Sequence, residues 1–216
     1  MIRIHITKKD IRLDKDELSL AAGSSARAVL RDEFLRRMNL KPVRYNPITT
    51  LTIPEAVLKR MIGKFSEQVI YQPLNEIRFW FTYSSGAYIE PGYPPLFYFR
   101  KGKNFSPNKT AVAGIGEGVA GLISQRIYRC RKLSRPNHDY PDIVMDGNGK
   151  TYLVESKATL NSRESIQTVI NDELPTMATL LSSCVGLDTR PIVSLLIGTF
   201  IANEKEYESY IVELSI

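Results

Sequence analysis

Residues 141–157 read Pro-Asp-Ile-Val-Met-Asp-Gly-Asn-Gly-Lys-Thr-Tyr-Leu-Val-Glu-Ser-Lys, and this stretch decides the fold of the C-terminal half of the chain. Asp142 opens a short apolar run. The turn that follows, residues 146–149, contains the Asx-Gly pairs that tight β-hairpins favour. A second strand-like run, residues 151–154, then leads into Glu155-Ser156-Lys157. The pattern therefore predicts a two-stranded hairpin.

The predicted hairpin brings three charged side chains together. Successive strand residues point to opposite faces, so Glu155 and Lys157 share one face and Ser156 lies on the other. Because the two strands run antiparallel, Asp142 returns to the same end as Glu155. Two carboxylates and an amine at one sheet edge suit a divalent-metal hydrolytic site, since Mg²⁺ prefers hard oxygen ligands. The alternative is an ordinary solvated strand end with surface charges.

The order Pro141-Asp142, twelve intervening residues and Glu155-Ser156-Lys157 resembles the PD-(D/E)xK nuclease superfamily, which includes restriction endonucleases and Holliday-junction resolvases. The resemblance implies a three-layer α/β/α core with a mixed central sheet, and a Mg²⁺-dependent DNA endonuclease in which Mn²⁺ can substitute. It implies that Asp142 and Glu155 are metal ligands, together with the backbone carbonyl of Ser156. Lys157 would then orient the water nucleophile and lower its pKa.

A predicted helix upstream supplies a further acid. Gly114-Ile115-Gly116-Glu117-Gly118 precedes a helical pattern, and Glu117 lies nearly opposite its apolar stripe. The stripe consists of Val119, Leu122, Ile123, Ile127 and Cys130. The resemblance places a glutamate of the first core helix in the metal site, and Glu117 is the residue that matches. The alternative is an acid at a helix start, which the helix macrodipole favours.

A second predicted helix follows the hairpin. Asn161 with Glu164 fits a capping box, and Pro175 is expected to end or kink the helix. Gln167 lies in a polar row with Arg163 and Asn171. The resemblance makes Gln167 a candidate for contacting a substrate phosphate, and a solvated helix face is the alternative. Residues 192–201 are predicted as a buried strand and residues 210–214 as an edge strand, which completes the superfamily order over residues 114–216.

Composition is consistent with a single core. The chain has 216 residues, of which 43% are hydrophobic, and we expect an α+β N-terminal extension over residues 1–110 and the nuclease core over residues 111–216. Cys130 and Cys184 cannot form a disulfide framework and have no metal-ligand spacing, so a reducing cytoplasm is expected. The most apolar stretch, residues 192–202, is too short to span a bilayer, which takes ~20 residues, and no signal peptide is recognised.

Positive charge is concentrated in one segment. Residues 100–135 contain nine Lys or Arg and one acid, a net charge of +8, so the rest of the chain sums to −2 within the total of +6. The nine are Arg100, Lys101, Lys103, Lys109, Arg126, Arg129, Arg131, Lys132 and Arg135. A basic rim around an acidic pocket suits a phosphodiester substrate. We therefore predict that Arg126, Arg129, Arg131 and Lys132 bind nucleic acid.

The N-terminal half is less informative. Its patterns predict a helix over residues 25–41, with Val29, Phe34 and Met38 inward, and a second helix after Pro54. Residues 77–83 and 96–99 are predicted as paired strands joined by a turn-rich link over residues 88–95. Exposed aromatic side chains there could stack on unpaired bases, although such clusters are more often core.

The resulting hypothesis is an endonuclease acting on double-stranded DNA. Two alternatives remain open at this point: a catalytically silent nucleic-acid- or protein-binding module of the same fold, and a nuclease that cleaves RNA. Two-strand cutting in this superfamily commonly uses a dimer, so a homodimer is a candidate assembly. The sequence does not separate sequence-specific cutting from structure-specific cutting.

Overall fold

The structure, a computed structural model, describes residues 1–68, 70–83, 87–90, 96–99, 107–136 and 140–216. Within these ranges the backbone forms six helices, a seven-stranded mixed sheet and a two-stranded ribbon. The helices are α1 (Lys15–Ser24), α2 (Ala28–Leu40), α3 (Glu55–Phe65), α4 (Pro73–Tyr83), α5 (Lys109–Arg126) and α6 (Arg163–Ser183). The strands are β1 (Ile2–Arg12), β2 (Asn46–Ile53), β3 (Ala87–Glu90), β4 (Leu96–Phe99), β5 (Arg131–Ser134), β6 (Ile143–Gly147), β7 (Lys150–Thr159), β8 (Ile192–Ile201) and β9 (Glu206–Ser215). The chain is therefore an α/β protein, as the sequence predicts.

The large sheet has the strand order β2-β1-β9-β8-β7-β6-β5. The β1–β9 and β7–β8 pairs are parallel, and the other neighbouring pairs are antiparallel. The prediction that residues 210–214 form an edge strand is wrong, because β1 pairs with β9 along its whole length, from Arg3 with Glu206 to Arg12 with Ser215. The N-terminal strand thus covers the edge that the C-terminal half alone would leave open.

Helices cover both faces of this sheet. Strand β8 alternates between two hydrophobic clusters, with Leu195 in a cluster that contains Val119 of α5 and Leu196 in one that contains Ile170 of α6. The first cluster also takes side chains from α3, whereas the second takes them from α1 and α2. This alternation follows from the two-residue period of a strand.

Helix α5 lies unusually close to its neighbours because of its glycines. A Cβ atom at Gly116 would lie 2.6 Å from Cβ of Ala158 in β7, and one at Gly118 would lie 2.9 Å from the backbone nitrogen of Ile62 in α3. The helix begins at Lys109, earlier than the sequence pattern predicts. Asn108 is its N-cap, and the side chain of Asn108 accepts a hydrogen bond from the N–H of Ala111. The glycines are thus inside the helix, at its contacts, and do not precede it.

Helix α6 differs from its prediction at two points. Its N-cap is Ser162, whose Oγ accepts a hydrogen bond from the N–H of Ser165, so the capping role predicted for Asn161 is wrong. The helix continues through Pro175 to Ser183. Leu174 and Met177 beside the proline are buried in the core, and their packing offsets the backbone hydrogen bond that a proline cannot donate.

Several predictions for the N-terminal half need correction. Residues 77–83 form the end of helix α4, so the strand predicted there is wrong; Leu74 and Ile77, one turn apart, are buried and override the β preference of the aromatic residues. Strand β4 at residues 96–99 is confirmed, but its partner is β3. Residues 91–95 of the predicted link, and Arg100, Lys101 and Lys103, lie outside the described residues.

The helix predicted over residues 25–41 is confirmed as α2, which follows the unpredicted α1. Phe34 and Met38 are buried as expected, whereas Val29 is 77% exposed and the inward position predicted for it is wrong. The helix after Pro54 is confirmed as α3. Cys130 and Cys184 are free thiols. No helix in the described part of the chain is both long enough and apolar enough to cross a membrane.

Replacing Gly118 by alanine tests the close contact between α3 and α5. We expect Gly118→Ala to lower the free energy of unfolding by roughly 1–3 kcal/mol, because the new methyl group would meet the backbone of Ile62. Gly63→Ala in α3 is the matched control: its Cβ would meet nothing within 4 Å, so helix propensity should make it neutral or stabilising by up to about 1 kcal/mol. Urea unfolding measures both, and equal effects would contradict the close packing.

Candidate active site

A cleft of about 610 Å³ lies at the end of the β6–β7 hairpin opposite to its turn. Strands β6 and β7 pair antiparallel with Ile143 opposite Val154, and this register brings Asp142 beside Glu155. The turn has Asn148 and Gly149 at positive φ, 52° and 71°, as a tight hairpin requires. The cleft is lined by the predicted residues Glu117, Asp142, Glu155, Ser156 and Lys157, and also by Gln68, Lys109 and Asn161.

The carboxylates of Asp142 and Glu155 are each held by a backbone N–H group from the facing strand end. The N–H of Asp142 donates a hydrogen bond to Oε2 of Glu155 at 3.1 Å, and the N–H of Ser156 donates to Oδ2 of Asp142 at 2.8 Å. These hydrogen bonds fix both carboxylates at the point where β6 begins and β7 approaches its end. The geometry matches the convergence predicted from the sequence.

The two acids are poorly stabilised as a pair of anions. Burial, to which the charge of Glu117 adds, raises the pKa of Asp142 to about 6. Burial and the charge of Asp142 raise the pKa of Glu155 to about 7, and Glu155 is only 2% exposed. A cation placed between the two carboxylates would relieve this repulsion. Their electrostatics therefore favours binding of a positive ion or a proton.

Lys157 contacts three groups at the edge of the cleft. Its ammonium donates a hydrogen bond to Oε1 of Glu155 at 2.8 Å and lies 3.5 Å from Oε1 of Glu173 in α6. It also lies 5.1 Å from the centre of the Tyr140 ring. The sequence pattern predicts the pairing of Lys157 with Glu155. It gives no signal for Glu173, which helix α6 brings to the site, or for Tyr140, which lies in the loop before β6.

Glu117 lies in the wall of the cleft and is 6% exposed. Its carboxylate accepts hydrogen bonds from the N–H of Glu67 at 2.6 Å and from Nε2 of Gln68 at 3.1 Å. Nη2 of Arg135 lies 3.3 Å from Oε2 of the same carboxylate. Because α5 begins at Lys109, Glu117 is in the middle of the helix, so the alternative of a helix-start acid is wrong.

The carboxylates in the cleft suit Mg²⁺, which keeps part of its water shell, better than a metal ion that protein side chains enclose completely. In the part of the chain that the structure describes, no three His, Cys, Asp or Glu side chains are grouped closely enough to hold a metal ion by themselves. Mg²⁺ is usually held by one or two protein carboxylates, with water and substrate phosphate completing its shell. The pair Asp142 and Glu155 meets that requirement, and the contribution of the Ser156 carbonyl stays a prediction.

The predicted nucleic-acid-binding arginines lie away from the cleft. Arg126 is nine residues beyond Glu117 in α5, a rise of roughly 13–14 Å along the helix axis. Arg129 lies beside the hairpin turn, where its carbonyl oxygen would be 3.0 Å from a Cβ at Gly147. Arg131 pairs with Asp146 at 2.9 Å, at the same end of the sheet. None of the three is among the described residues that line the cleft.

Lys132 and Gln167 are also outside the cleft lining that the structure describes. Lys132 points toward α3 and lies 6.0 Å from the centre of the Phe65 ring. The neighbours of Gln167 in its polar row face β9 and β1: Arg163 donates to Glu208 and Asn171 accepts from Lys9. The polar row of Gln167 thus lies beside β9 and β1, and the phosphate contact predicted for Gln167 stays a prediction.

Comparison of the chain with protein-family models, with curated protein sequences and with solved structures finds no significant match.

The raised pKa values predict how stability depends on pH in the absence of metal. The folded state holds protons on Asp142 and Glu155 that the unfolded chain releases above about pH 4, so the free energy of unfolding should fall as pH rises from about 4 to 7. Asp142→Asn removes one acid and keeps an oxygen for the N–H of Ser156. In EDTA this variant should exceed the wild-type free energy of unfolding by ~1–2 kcal/mol at pH 8, and by much less at pH 4.

Asp188→Asn is the control of opposite sign, because hydrogen bonds from Arg190 lower the pKa of Asp188. That variant should be less stable than the wild type at pH 8. Urea unfolding across the pH range measures both variants. An Asp142→Asn protein with the same pH dependence as the wild type would contradict the repulsion between the two acids.

Proposed function

We propose that the protein is a Mg²⁺-dependent endonuclease that hydrolyses phosphodiester bonds of DNA. The observation that carries the proposal is the convergence of Asp142, Glu155 and Lys157 in one cleft, at the end of a hairpin whose sequence resembles the PD-(D/E)xK motif. Each of the three residues has the chemistry that such a reaction requires.

The order of elements also supports this proposal. Helix α5, the β6–β7 hairpin, helix α6 and the pair β8–β9 occur in the order that the resemblance implies, and one further strand that the sequence does not predict, β5, lies between α5 and β6. Strand β8 is parallel to β7, as a crossover through α6 requires. We therefore propose a restriction-endonuclease-like core within the α/β fold, extended at β9 by the N-terminal strands.

In this proposal Asp142 and Glu155 hold the metal ion, which would supply Lewis acidity, a lower pKa for the attacking water and neutralisation of charge at the phosphate. Lys157, fixed by Glu155 and Glu173, orients the attacking water. Glu117 adds negative charge near Asp142 and would hold a metal-bound water. Lys109 at the rim provides a cation for the substrate backbone.

One assay tests the proposal directly. Plasmid DNA, branched DNA and structured RNA are each incubated with the protein in Mg²⁺ or in EDTA. We expect cleavage of DNA in Mg²⁺ and none in EDTA. Cleavage of RNA alone would make the protein a ribonuclease. Binding without cleavage of any substrate would make it a silent binding module, and the endonuclease proposal would then be abandoned.

The role of Lys157 predicts a loss of chemistry without a loss of binding. Lys157→Ala should reduce the cleavage rate by about 100-fold or more, since a positioned proton-transfer or orienting group contributes on that order. Its affinity for duplex DNA in EDTA should stay within about twofold of the wild type, because one cation among many contributes little. Lys109→Ala is the control within the same cleft, and it should retain the rate of cleavage at saturating DNA. A fully active Lys157→Ala protein would mean that the motif match is accidental.

The role of Glu117 can be separated from its structural contacts. Glutamine in its place can still accept the N–H of Glu67, so mainly the ion pair with Arg135 is lost. We expect Glu117→Gln to reduce cleavage at least about tenfold, which is about 1.4 kcal/mol of barrier, with partial rescue by raised Mn²⁺. A variant that melts at a lower temperature but cuts at the wild-type rate would assign Glu117 to holding residues 66–68 in place.

A further inference from the structure

We propose that the phosphate backbone of a DNA duplex lies along the outer edge of β5, on a surface formed by Lys64 and Lys132, before it enters the cleft. This inference rests on the proposed function and specifies how the substrate approaches it. It also revises the expected binding residues, because Lys64 carries no signal in the sequence pattern and Arg126 lies elsewhere.

The first supporting observation is that the fold brings two cations together at one aromatic ring. The ammonium of Lys64 lies 5.2 Å from the centre of the Phe65 ring, and that of Lys132 lies 6.0 Å from the same centre, so the two charges are at most about 11 Å apart. Lys132 also donates to the backbone oxygen of Lys64 at 3.5 Å. Neither lysine forms an ion pair with any residue that the structure describes. Two adjacent uncompensated cations repel each other, and an anion would bind between them.

The second observation is that the surrounding acids pair with arginines and with neither lysine. Glu67 and Glu117, which follow next toward the cleft, both pair with Arg135. Asp146, at the other end of β5, pairs with Arg131 and Arg190. The charge of Lys64 and Lys132 is thus available to a ligand, whereas that of Arg131 is largely cancelled.

The third observation is the direction of the strand. Strand β5 is an edge strand of the sheet with exposed residues on both faces, including Leu133, which is 48% exposed. Arg135, three residues after Lys132, reaches Glu117 in the wall of the cleft. Three residues of extended chain span about 10 Å, which is about three base-pair steps of B-DNA. A duplex on this edge would place a phosphate a few steps farther on at the two carboxylates.

The experiment measures duplex binding in EDTA, where no cleavage occurs, as a function of salt concentration. Glutamine replaces both lysines in Lys64→Gln/Lys132→Gln, because its stem keeps the packing on Phe65. If each lysine contacts one phosphate, the slope of log K against log[salt] should fall in magnitude by about 1.8, and affinity at low salt should fall at least about tenfold. The matched control is Lys15→Gln/Arg27→Gln, two exposed cations at the start of α1 and before α2, which removes the same charge and should leave the slope unchanged.

The proposal would be overturned by a wild-type slope in the Lys64→Gln/Lys132→Gln protein, by an equal loss in the control, or by wild-type protein that does not bind duplex DNA. A lysine-dependent slope with structured RNA in place of duplex DNA would also overturn it, since the partner would then be RNA. Melting temperatures of both double variants check that each is folded. Cleavage in Mg²⁺ is measured separately. If the protein cuts DNA but the double variant has an unchanged salt slope, the endonuclease proposal holds and the surface proposal fails. If binding depends on the two lysines but no DNA is cut, the surface proposal holds and the endonuclease proposal fails.

Discussion

The register of the β6–β7 hairpin is the constraint on which the candidate site depends. Ile143 opposite Val154 places Asp142 at the level of Glu155. There the N–H of Asp142 donates to the carboxylate of Glu155, and the N–H of Ser156 donates to the carboxylate of Asp142. A slip of one residue would move Glu155 and Lys157 to the other face of the sheet, where Ser156 and Ala158 now face α5. The Asn148-Gly149 turn fixes this register locally, and the pairing of β7 with β8 fixes it again from the other side.

The hairpin imposes an electrostatic cost that the rest of the fold offsets only in part. Two carboxylates are buried side by side, and their pKa values rise to about 6 and 7 chiefly because burial disfavours the charged forms. The charge of Glu117 adds to this effect at Asp142, and the charge of Asp142 adds to it at Glu155. Lys157 compensates one of them, and Glu173 with Tyr140 holds that lysine in place. Asp142, Glu155 and Glu173 are thus three carboxylates around one ammonium, so the site has more acidic groups than Lys157 can neutralise. Such a residual charge is the property that favours a divalent cation, and a structural ion-pair network would not need it.

The sequence predicts local features of this protein much better than distant ones. The hairpin and strand β8 are predicted correctly, because turn chemistry and periodicity act within a few residues. The apolar stripe predicted for α5 is correct at Val119, Leu122 and Ile123, but the helix ends at Arg126, before the other two predicted members. The strand predicted over residues 77–83 fails because buried contacts of Leu74 and Ile77 outweigh the β preference of the aromatic residues. The edge position of residues 210–214 fails because β1, almost 200 residues earlier in sequence, supplies a partner. The partners of Glu117 were unpredictable for the same reason, since residues 67–68 and Arg135 reach it only in three dimensions.

The N-terminal residues contribute directly to the site and to the sheet. Strands β1 and β2 extend the sheet beyond β9, and residues 66–68, just after α3, hold Glu117 and line the cleft through Gln68. Helix α3 can approach α5 this closely only because Gly118 and Gly121 lack side chains. The position of Glu117 thus depends on helix α3 and residues 66–68 from the N-terminal half, and on Arg135, which directly follows strand β5. For this reason the wall of the cleft is built jointly by the two halves of the chain, and the hairpin supplies only its floor.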